Sequence, residues 1–437
     1  MLIRQVLVVG SVCAAIIAAA GAAGVASPGG DLVISEQRLG DVHRATDGQV
    51  DQYAGMTLDE GQKVLTVYVT RGQQAAASRS LRGLAAGQAT DGLRVKFVEV
   101  AHSARELSAT MHAVESSEPW ASTVGDTLSN WYPDYRTNTV HVGLTEVTDQ
   151  ARKAASAAFG DRVVLEQQSR FSTATKPVPF TGKVVTVTPS GKRSTTSAGS
   201  SPAIAPSPGR LLDATPYWGG DRIVRFWTDS SGQNWITQCT VTVRAKSNNS
   251  STYYMITAGH CGPTGSVWRQ GYLDPDGTVY VTGVMGNAVS TQWGNNLIDA
   301  QIMSSGSTYD SYVYNQPTSG ILDAGKATPT VGQYACFDGS VSNNGSEDCS
   351  STILTVNGCV NVNENGTTVH VCGQASAGSN TNTICHPGDS GGPVLNYGNN
   401  RYPAFALGVI SSVNSSFTIC NFTQMPNVVS TFGITVL

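Results

Sequence analysis

The residues from position 388 to 393 read Gly-Asp-Ser-Gly-Gly-Pro and could expose a reactive serine on a tight turn. Glycines flanking a serine let the backbone turn sharply. The Ser390 hydroxyl would then be exposed, with the N–H groups of Gly388 and Ser390 pointing at the space in front of it. This is a nucleophile with its own oxyanion hole. Because a serine hydroxyl is barely acidic, the chemistry also needs a histidine as base and a buried carboxylate that orients it.

His260 and Asp299 are the candidates for those two roles. His260 lies in Thr-Ala-Gly-His-Cys, a turn of small residues after the apolar run at 253–256, and would project from the end of a buried strand. Asp299 interrupts the strand-like apolar segment 296–303. Asp274 and Asp276 are rivals, but Asp-Pro-Asp-Gly indicates a turn. We interpret His370 and His386 as incidental to the chemistry.

The order histidine, aspartate, serine along the chain discriminates between folds. The nucleophile elbow of an α/β-hydrolase also has the pattern Gly-x-Ser-x-Gly, but its histidine follows the serine. No histidine follows Ser390 in this sequence. A subtilisin-like order places the aspartate before the histidine and requires alternating strands and helices, a pattern that the second half lacks.

Residues 257–261 and 388–393 resemble the chymotrypsin-type serine endopeptidases, in particular secreted bacterial enzymes such as streptogrisins and α-lytic protease. The resemblance implies peptide hydrolysis through an acyl-enzyme, with Ser390 as nucleophile, His260 as base and Asp299 as the group that orients the base. Gly388 and Ser390 would form the oxyanion hole. It implies protein or peptide substrates, no cofactor, no metal and a monomer.

The composition is typical of an exported, β-rich protein. Charged residues make up only 13% of the 437 residues and the formal net charge is −4, which gives no indication of nucleic-acid binding. Residues 1–26 hold Arg4, an apolar run and then small residues, the pattern of a signal peptide that is removed on export. We therefore expect a secreted, extracellular protein that is not anchored in a membrane.

Eight cysteines lie beyond position 238, and the ninth, Cys13, lies in the signal peptide. An even number in an exported chain predicts disulfides, although spacing alone leaves their pairing open. A zinc site is not favoured, because no Cys-x-x-Cys pair is present. The family resemblance implies the pairs Cys239–Cys261, Cys336–Cys349 and Cys385–Cys420, which leaves Cys359–Cys372.

Residues 27–175 form a cysteine-free segment of mixed helix and strand. We predict strands over 63–70, 93–100, 139–144 and 162–166. Ser103 and Glu106 form a capping box before a helix, and a second helix is predicted over 148–159. This α+β pattern resembles the pro-regions of the secreted bacterial proteases, which assist folding and inhibit the enzyme until they are cut away. An independent binding domain is the alternative.

Residues 176–210 are rich in proline, serine and glycine and predict an unpacked linker. An exposed tether is where a processing cut falls, so we predict maturation between about residues 194 and 215 of this sequence.

Residues 211–437 alternate short strands with turns of Asn, Gly, Ser and Asp. We predict strands over 239–244, 253–257, 278–284, 297–303, 352–356, 367–371, 393–397 and 405–411, and a final helix near 425–432 that Pro426 could begin. The resemblance implies an all-β catalytic domain, folded as two six-stranded antiparallel barrels with the catalytic residues in the cleft between them.

This sequence departs at two places from the pattern of the family that it resembles. Relatives pair the aspartate before the nucleophile with an arginine, where this chain has Phe337. Asp389 therefore needs another partner, for which we consider the new α-amino group made by processing, Arg222 or Lys326. The family's specificity wall falls on Ser411, Ser412 and Val413. A valine there narrows the pocket and favours small or medium apolar side chains.

A non-catalytic binding protein on a protease-like fold is the alternative function. Such a protein would be expected to have lost one member of the catalytic triad, and His260, Asp299 and Ser390 are all present. An esterase that uses the same triad is a third option.

Overall fold

A computed structural model describes residues 36–81, 92–188, 194–195, 209–304, 308–364, 366–380, 382–397 and 402–437. The signal peptide predicted over residues 1–26 lies outside them, as does most of the segment 189–208. Among the helices of the described residues, none is long and apolar enough to cross a membrane.

Most of the helical structure lies in the first 160 residues. The helices are α1 (Glu36–Thr46), α2 (Gln74–Ser80), α3 (Ala104–Ser116), α4 (Trp120–Val124), α5 (Asp149–Phe159) and α6 (Met425–Phe432). Strands of the same N-terminal part are β1 (Tyr53–Asp59), β2 (Val64–Thr70), β3 (Arg94–Val100), β4 (Leu128–Asp134), β5 (Thr139–Leu144), β6 (Val163–Gln167) and β7 (Phe171–Thr173).

The helix boundaries in this part follow from capping. The Ser103 Oγ accepts the Glu106 N–H at 3.3 Å, and the Glu106 carboxylate accepts the Ser103 N–H at 2.8 Å, so the predicted capping box begins α3. Thr148 caps α5 in the same way, through its Oγ1 and the Ala151 N–H. Helix α1 and the strands β1 and β4 were not among the elements predicted from the sequence.

The strands of the N-terminal part belong to two different sheets. Strands β1, β2 and β3 make a separate three-stranded sheet whose core is shared with α1 and α2. Strands β4, β5 and β6 instead extend a sheet of the second half of the chain, because β4 pairs with the strand Asp348–Glu364 at Trp131↔Cys359. The N-terminal part is therefore docked on the second half by strand pairing.

Three short strands lie in the segment 176–210 that was predicted to be an unpacked linker: β8 (Val178–Pro179), β9 (Val184–Thr186) and β10 (Ser194–Thr195). Strand β11 (Tyr217–Gly219) follows that segment. Residues 178–179 pair with 235–236, and residues 184–186 pair with 279–281. The apolar side chains of Val178 and Phe180 pack on the sheet of the first barrel. The first part of the segment 176–210 is therefore packed, whereas the sequence predicted an unpacked linker there.

The first barrel consists of β12 (Arg222–Thr228), β13 (Asn234–Thr240), β14 (Arg244–Ser247), β15 (Tyr253–Thr257), β16 (Val267–Leu273), β17 (Val279–Gln292) and β18 (Ala300–Ser304). The sheet order runs β14-β15-β18-β17-β16-β12-β13. Since β13 leads directly into β14, and Thr242 between them bonds to Ile256 at 2.7 Å, the sheet closes on itself. Counting β13 and β14 as one bent strand, the barrel has the predicted six strands.

The second barrel consists of β21 (Tyr334–Phe337), β22 (Asp348–Glu364), β23 (Thr367–Gly378), β24 (Pro393–Tyr397), β25 (Ala404–Asn414) and β26 (Ile419–Gln424). The pairs run β25-β24-β21-β22-β23-β26 and return from β26 to β25, which closes a six-stranded ring. The hairpin β19 (Tyr309–Tyr314) and β20 (Ser319–Lys326) attaches to β25. The all-β double barrel predicted for this half is confirmed.

The C-terminal residues return to the first barrel. Helix α6 begins with Pro426 in its first turn and buries Met425 and Val428 in the core of the first barrel. The last strand, β27 (Ile434–Val436), pairs antiparallel with β14.

A buried ion pair fixes the entry of the chain into the second half. The Arg210 guanidinium lies 2.9 Å from the Asp338 carboxylate, and both side chains are fully buried. Arg210 also donates to the carbonyl oxygens of Gly220, Asp338 and Gly339. Burial raises the pKa of the Asp338 carboxyl, and the guanidinium opposes this rise. The pair joins the segment before the first barrel to the second barrel.

We predict that Arg210→Met lowers the free energy of unfolding by about 3–5 kcal/mol, because it leaves the Asp338 carboxylate buried without its cation. The measurement is urea unfolding followed by circular dichroism. Lys326→Met at an exposed position is the control and should change stability by less than about 0.5 kcal/mol. The double variant Arg210→Met/Asp338→Leu should recover part of the loss, and a double variant less stable than Arg210→Met would contradict the account.

Candidate active site

The structure brings the three residues of the predicted triad together in the cleft between the barrels. His260 Nε2 lies 2.7 Å from Ser390 Oγ, and His260 Nδ1 lies 2.7 Å from the Asp299 carboxylate. Asp299 and Ser390 are fully buried, and His260 is 7% exposed. With Nδ1–H donating to the carboxylate, Nε2 is left free to accept the serine proton. The arrangement can therefore generate a serine nucleophile.

Asp299 is held by hydrogen bonds from both barrels. Its carboxylate accepts the backbone N–H of His260 at 2.9 Å and the Ser411 hydroxyl at 2.6 Å. Its own N–H and carbonyl bond to the Thr423 hydroxyl. Residues 295 and 296 have positive φ, so the chain turns there and β18 starts only at Ala300. Asp299 thus ends a turn rather than lying inside the strand predicted over 297–303.

The loop that carries Ser390 is seated directly on the first barrel. The carbonyl oxygen of Ser390 accepts the Thr240 N–H at 2.8 Å, and that of Gly391 accepts the Thr242 hydroxyl. Gly391 has φ of +84°, and a Cβ there would lie 2.1 Å from Thr257 Oγ1. Only glycine fits this position, because both the backbone conformation and the space exclude a side chain.

A peptide group of the chain itself occupies the position predicted to be the oxyanion hole. The N–H groups of Gly388 and Ser390 donate to the carbonyl oxygen of Ala174, at 2.8 and 3.1 Å. Gly388 has φ of +107°, which turns its N–H toward this point. The two donors predicted from the sequence therefore converge on one carbonyl oxygen, within the range expected of oxyanion-hole donors.

The residues before Ala174 form a strand beside the predicted specificity wall. Residues 171–173 pair antiparallel with 412–414, and the Ala174 N–H donates to the Ser411 carbonyl at 3.0 Å. Of the three predicted pocket residues, Ser411 turns its hydroxyl to Asp299, and Ser412 accepts a hydrogen bond from Asn421. Val413 is buried in the core cluster that also contains Ala174. The wall therefore contributes chiefly backbone groups and one apolar side chain.

Asp389 is satisfied without a cation. Its carboxylate accepts the N–H groups of Val341 at 2.7 Å, Ser342 at 3.1 Å and His386 at 2.8 Å, and also the Ser342 hydroxyl. Gly339 makes room for it, since a Cβ there would lie 2.1 Å from the carboxylate carbon. Backbone amides thus replace the arginine of the relatives.

The cationic partners considered for Asp389 are not in contact with it. Within the described part of the chain, no Lys or Arg nitrogen lies within 4 Å of this carboxylate. Arg222 donates to the hydroxyl and carbonyl of Ser340 instead, and Lys326 is exposed. A direct ion pair of Asp389 with Arg222 or Lys326 is therefore absent among the described residues. Arg222 acts on Asp389 only through electrostatic attraction at longer range, which favours the charged guanidinium and raises the Arg222 pKa against the effect of burial.

The rival acid and base candidates lie elsewhere. Asp276 accepts the Thr278 N–H in the tight turn predicted for that segment, and Asp274 closes the same turn. His370 stacks on Trp131 with ring centroids 4.7 Å apart, and burial lowers its pKa to about 4. His386 stacks on Phe417 and contributes to the site through its backbone N–H.

All eight cysteines of the described residues are in disulfides. The pairs are Cys239–Cys261, Cys336–Cys349, Cys359–Cys372 and Cys385–Cys420. Three of them were implied by the family resemblance, and Cys359–Cys372 is the pair that remained. Two of these bridges lie close to acidic or histidine side chains, as in the group of Glu115, His370 and the bridge at Cys359. Disulfide sulfurs are not thiolates, so these groups lack the donors of a zinc–thiolate site.

Three functional features of the site escaped the sequence analysis. Ser411 and Thr423 position Asp299, and Ala174 occupies the oxyanion hole. The only sequence signal for Ala174 was its place at the end of the predicted α+β segment. For the two hydroxyl residues no local pattern marks the contact, which spans more than 100 positions in the chain.

Solved structures similar to this chain are chymotrypsin-like bacterial proteases. Thermobifida fusca protease A is 20% identical and covers 50% of this chain and 97% of its own, with a TM-score of 0.36. Cellulomonas bogoriensis chymotrypsin is 23% identical over 50% of this chain and 97% of its own, with a TM-score of 0.35. Nocardiopsis protease is 20% identical over 46% and 92%, with a TM-score of 0.34.

No family model matches the chain, and no curated protein matches it in sequence.

We predict that Gly391→Ala displaces the serine loop and lowers phosphonate labelling of Ser390 by at least about tenfold, because the new Cβ collides with Thr240 and Thr257. The matched control is Gly232→Ala, whose φ is +86° but whose Cβ would meet nothing within 4 Å. Mass spectrometry of the labelled protein measures the effect. Equal labelling of the two variants would show that close packing at Gly391 does not matter.

Proposed function

We propose that this protein is a secreted serine endopeptidase made as a zymogen, in which the N-terminal segment folds and inhibits the catalytic domain. The observation that carries the proposal is a peptide carbonyl oxygen on the N–H groups of Gly388 and Ser390, beside a serine hydroxyl that is hydrogen-bonded to a histidine. A site that holds a peptide group in this way is arranged for acyl transfer from peptides.

The reaction follows from the geometry. Ser390 Oγ attacks the peptide carbonyl carbon while His260 Nε2 takes its proton over 2.7 Å. Asp299 holds the ring in the tautomer with Nδ1–H and stabilises the imidazolium that forms. The N–H groups of Gly388 and Ser390 stabilise the oxyanion, and each such donor typically contributes about 3 kcal/mol to the transition state. His260 then protonates the leaving amine, and water hydrolyses the acyl-enzyme.

The substrate binds by strand addition in this proposal. The backbone of residues 411–414 offers the hydrogen bonds that residues 171–174 now make. Any extended peptide can make those bonds, so they supply affinity without selecting a sequence. Selection by the first side chain before the cut comes from the buried space that the Ala174 side chain occupies, in the core cluster that also contains Val413. We therefore expect cleavage after small or medium apolar residues.

Inhibition by the N-terminal segment is part of the proposal. Residues 171–174 fill the place of a substrate, and β4 adds a strand to β22 of the second barrel. Further contacts join the two parts, including Leu58 N–H to the Val331 carbonyl at 2.7 Å and Tyr334 N–H to Glu60 at 3.0 Å. A domain that pairs its strands with the second barrel while that barrel is still folding would also assist the slow formation of the barrel's non-local contacts.

The alternative function, a non-catalytic binding protein, would have the same fold but would not hydrolyse peptides. Labelling with a serine-reactive phosphonate separates the two functions, because only an activated serine reacts. A processed chain that neither reacts at Ser390 nor hydrolyses a peptide library would favour the binding function.

We predict that Ser390→Ala and His260→Ala each lower kcat for peptide hydrolysis by about 10⁶-fold, the size found in another serine protease. Asp299→Asn should cost about 10⁴-fold, because it favours the wrong tautomer of His260. Hydrolysis of a fluorogenic peptide ending in alanine is the measurement. His112→Ala, at an exposed helix position, is the control and should keep full activity. Full activity of Ser390→Ala would end the proposal.

We predict that the interface between α1 and the second half weakens in acid through His43. Its Nε2 lies 2.8 Å from Thr330 Oγ1, and burial together with Lys326 lowers its pKa from 6.5 to about 4. The unfolded chain takes up the proton below pH 6.5 and the folded chain only near pH 4. The stability contributed by neutral His43 is therefore complete above pH 6.5 and is lost as the pH falls toward 4, by about 2–3 kcal/mol.

The measurement compares urea unfolding of the wild type and His43→Gln between pH 7.5 and 4. The comparison cancels other titrating groups, including Glu60, whose pKa burial raises to about 7. The wild type should lose about 2–3 kcal/mol more than His43→Gln over this range. Parallel pH profiles of the two proteins would contradict the assignment.

A further inference from the structure

We infer that the protein cuts its own chain at the bond between Ala174 and Thr175, about 20 to 40 positions before the region where the sequence predicted maturation. The inference rests on the proposed function, because it needs an active Ser390. It goes beyond that function by naming the bond and the segment that stays with the enzyme afterwards.

The carbonyl of Ala174 meets the requirements for attack. Its oxygen accepts both oxyanion-hole donors, at 2.8 and 3.1 Å, and its residue's N–H is fixed on the Ser411 carbonyl at 3.0 Å. Among the described residues, no other carbonyl oxygen accepts hydrogen bonds from both the Gly388 and the Ser390 N–H groups. The Ala174 carbonyl carbon is joined by a peptide bond to the Thr175 nitrogen, and this is therefore the bond placed for cleavage.

The residues on either side of this bond are held as a substrate would be. On the amino side, residues 171–173 lie between β25 and β22, and Phe171 is buried among Val360, Val362 and Val371. On the other side, the Thr175 hydroxyl donates to the Gln238 carbonyl at 2.6 Å, beside Cys239. The chain is thus anchored before and after the bond.

The bond also lies where the chain passes from one barrel to the other. Residues 128–173 attach to the second barrel through β4 and β7, whereas residues 175–187 attach to the first. On the first barrel, Phe180 donates to the Asn234 carbonyl at 2.8 Å and its ring lies 5.3 Å from that of Phe226. We call residues 175–188 the strap.

A cut at this bond would leave two separately held pieces. The N-terminal piece would end at Ala174 and stay on the second barrel until it dissociates. The catalytic piece would begin at Thr175 and keep the strap paired with β13 and β17. Cleavage within 209–213 is disfavoured, because Arg210 and Asp213 are fully buried and the Arg210 carbonyl accepts the Arg222 N–H at 2.8 Å.

The chemistry is hydrolysis with one water consumed. Ser390 Oγ forms an ester with the Ala174 carbonyl carbon as the bond to the Thr175 nitrogen breaks, and His260 carries the hydroxyl proton to that nitrogen. Water then attacks the ester, which restores the serine hydroxyl and leaves a carboxylate on Ala174. The side chain at position 174 is completely buried, and a small residue such as alanine fits there.

The test follows the full chain after expression and identifies both new ends by mass spectrometry. Wild type should yield a fragment that ends at Ala174 and a partner that begins at Thr175, and Ser390→Ala should retain the bond. Thr175→Pro should also block this cut. Absence of an Ala174 end in the wild type, with or without cuts elsewhere, overturns the inference.

Two further variants test the recognition of the bond. Ala174→Lys places a charge in a fully buried position and should slow the appearance of the new ends by on the order of a hundredfold. Ser172→Lys, at an exposed position two residues away, is the matched control and should cut at the wild-type rate. Equal slowing of both variants would contradict recognition of residue 174 by the site.

Hydrolysis of a fluorogenic peptide, measured in the same preparations, separates this inference from the proposed function. An active wild type with an intact Ala174–Thr175 bond overturns the self-cleavage and leaves the endopeptidase standing. A wild type that keeps the bond and, after limited digestion of the N-terminal segment by thermolysin, remains inactive on peptides overturns both.

Discussion

The buried carboxylate of Asp299 is the group on which the site depends. A carboxylate removed from water must have its hydrogen bonds supplied by the protein, and Asp299 takes them from His260 in the first barrel and Ser411 in the second. One side chain therefore fixes the tautomer of the base and holds two barrels in register. Its position at the end of a turn, before β18, allows it to reach both partners. The hydrogen bonds of the serine loop to Thr240 and Thr242 complete the same junction.

Two other buried acids are handled in different ways, and the contrast explains how the serine loop keeps its shape. Asp338 is paired with the Arg210 guanidinium, whereas Asp389 is surrounded by backbone N–H groups and the Ser342 hydroxyl. Gly339, which directly follows Asp338 in the chain, gives Asp389 its space because it has no side chain. The loop before Ser390 is thus stabilised by backbone amides that are already oriented toward the Asp389 carboxylate. Arg210 connects this region to the strand that enters the first barrel.

Strong local patterns in the sequence predicted the strands of the second half and the candidate triad, and the resemblance of residues 257–261 and 388–393 to a known family implied the double barrel. Period-two alternation identified the strands, and the small-residue turns around His260 and Ser390 identified the nucleophile and its base. The capping box of α3 was predicted for the same reason, since Ser103 and Glu106 are only three residues apart. Contacts between distant parts of the chain left no such pattern. The amide partners of Asp389, the Arg210–Asp338 pair and the seat of Ala174 each join segments far apart in sequence, so only the folded chain reveals them. The pairing of residues 178–179 and 184–186 was missed because prolines and glycines around them indicated a linker.

The strand that follows α6 has a consequence for the time at which the site can form. β27, three residues from Ile434 to Val436, pairs with β14 of the first barrel, and α6 fills the same core. The barrel that carries His260 and Asp299 is therefore closed by residues that follow Ser390 in the chain. A nascent chain synthesised only as far as Ser390 holds all three residues of the candidate triad but lacks α6 and β27. The candidate site of such a chain stays unassembled until those later elements have been synthesised.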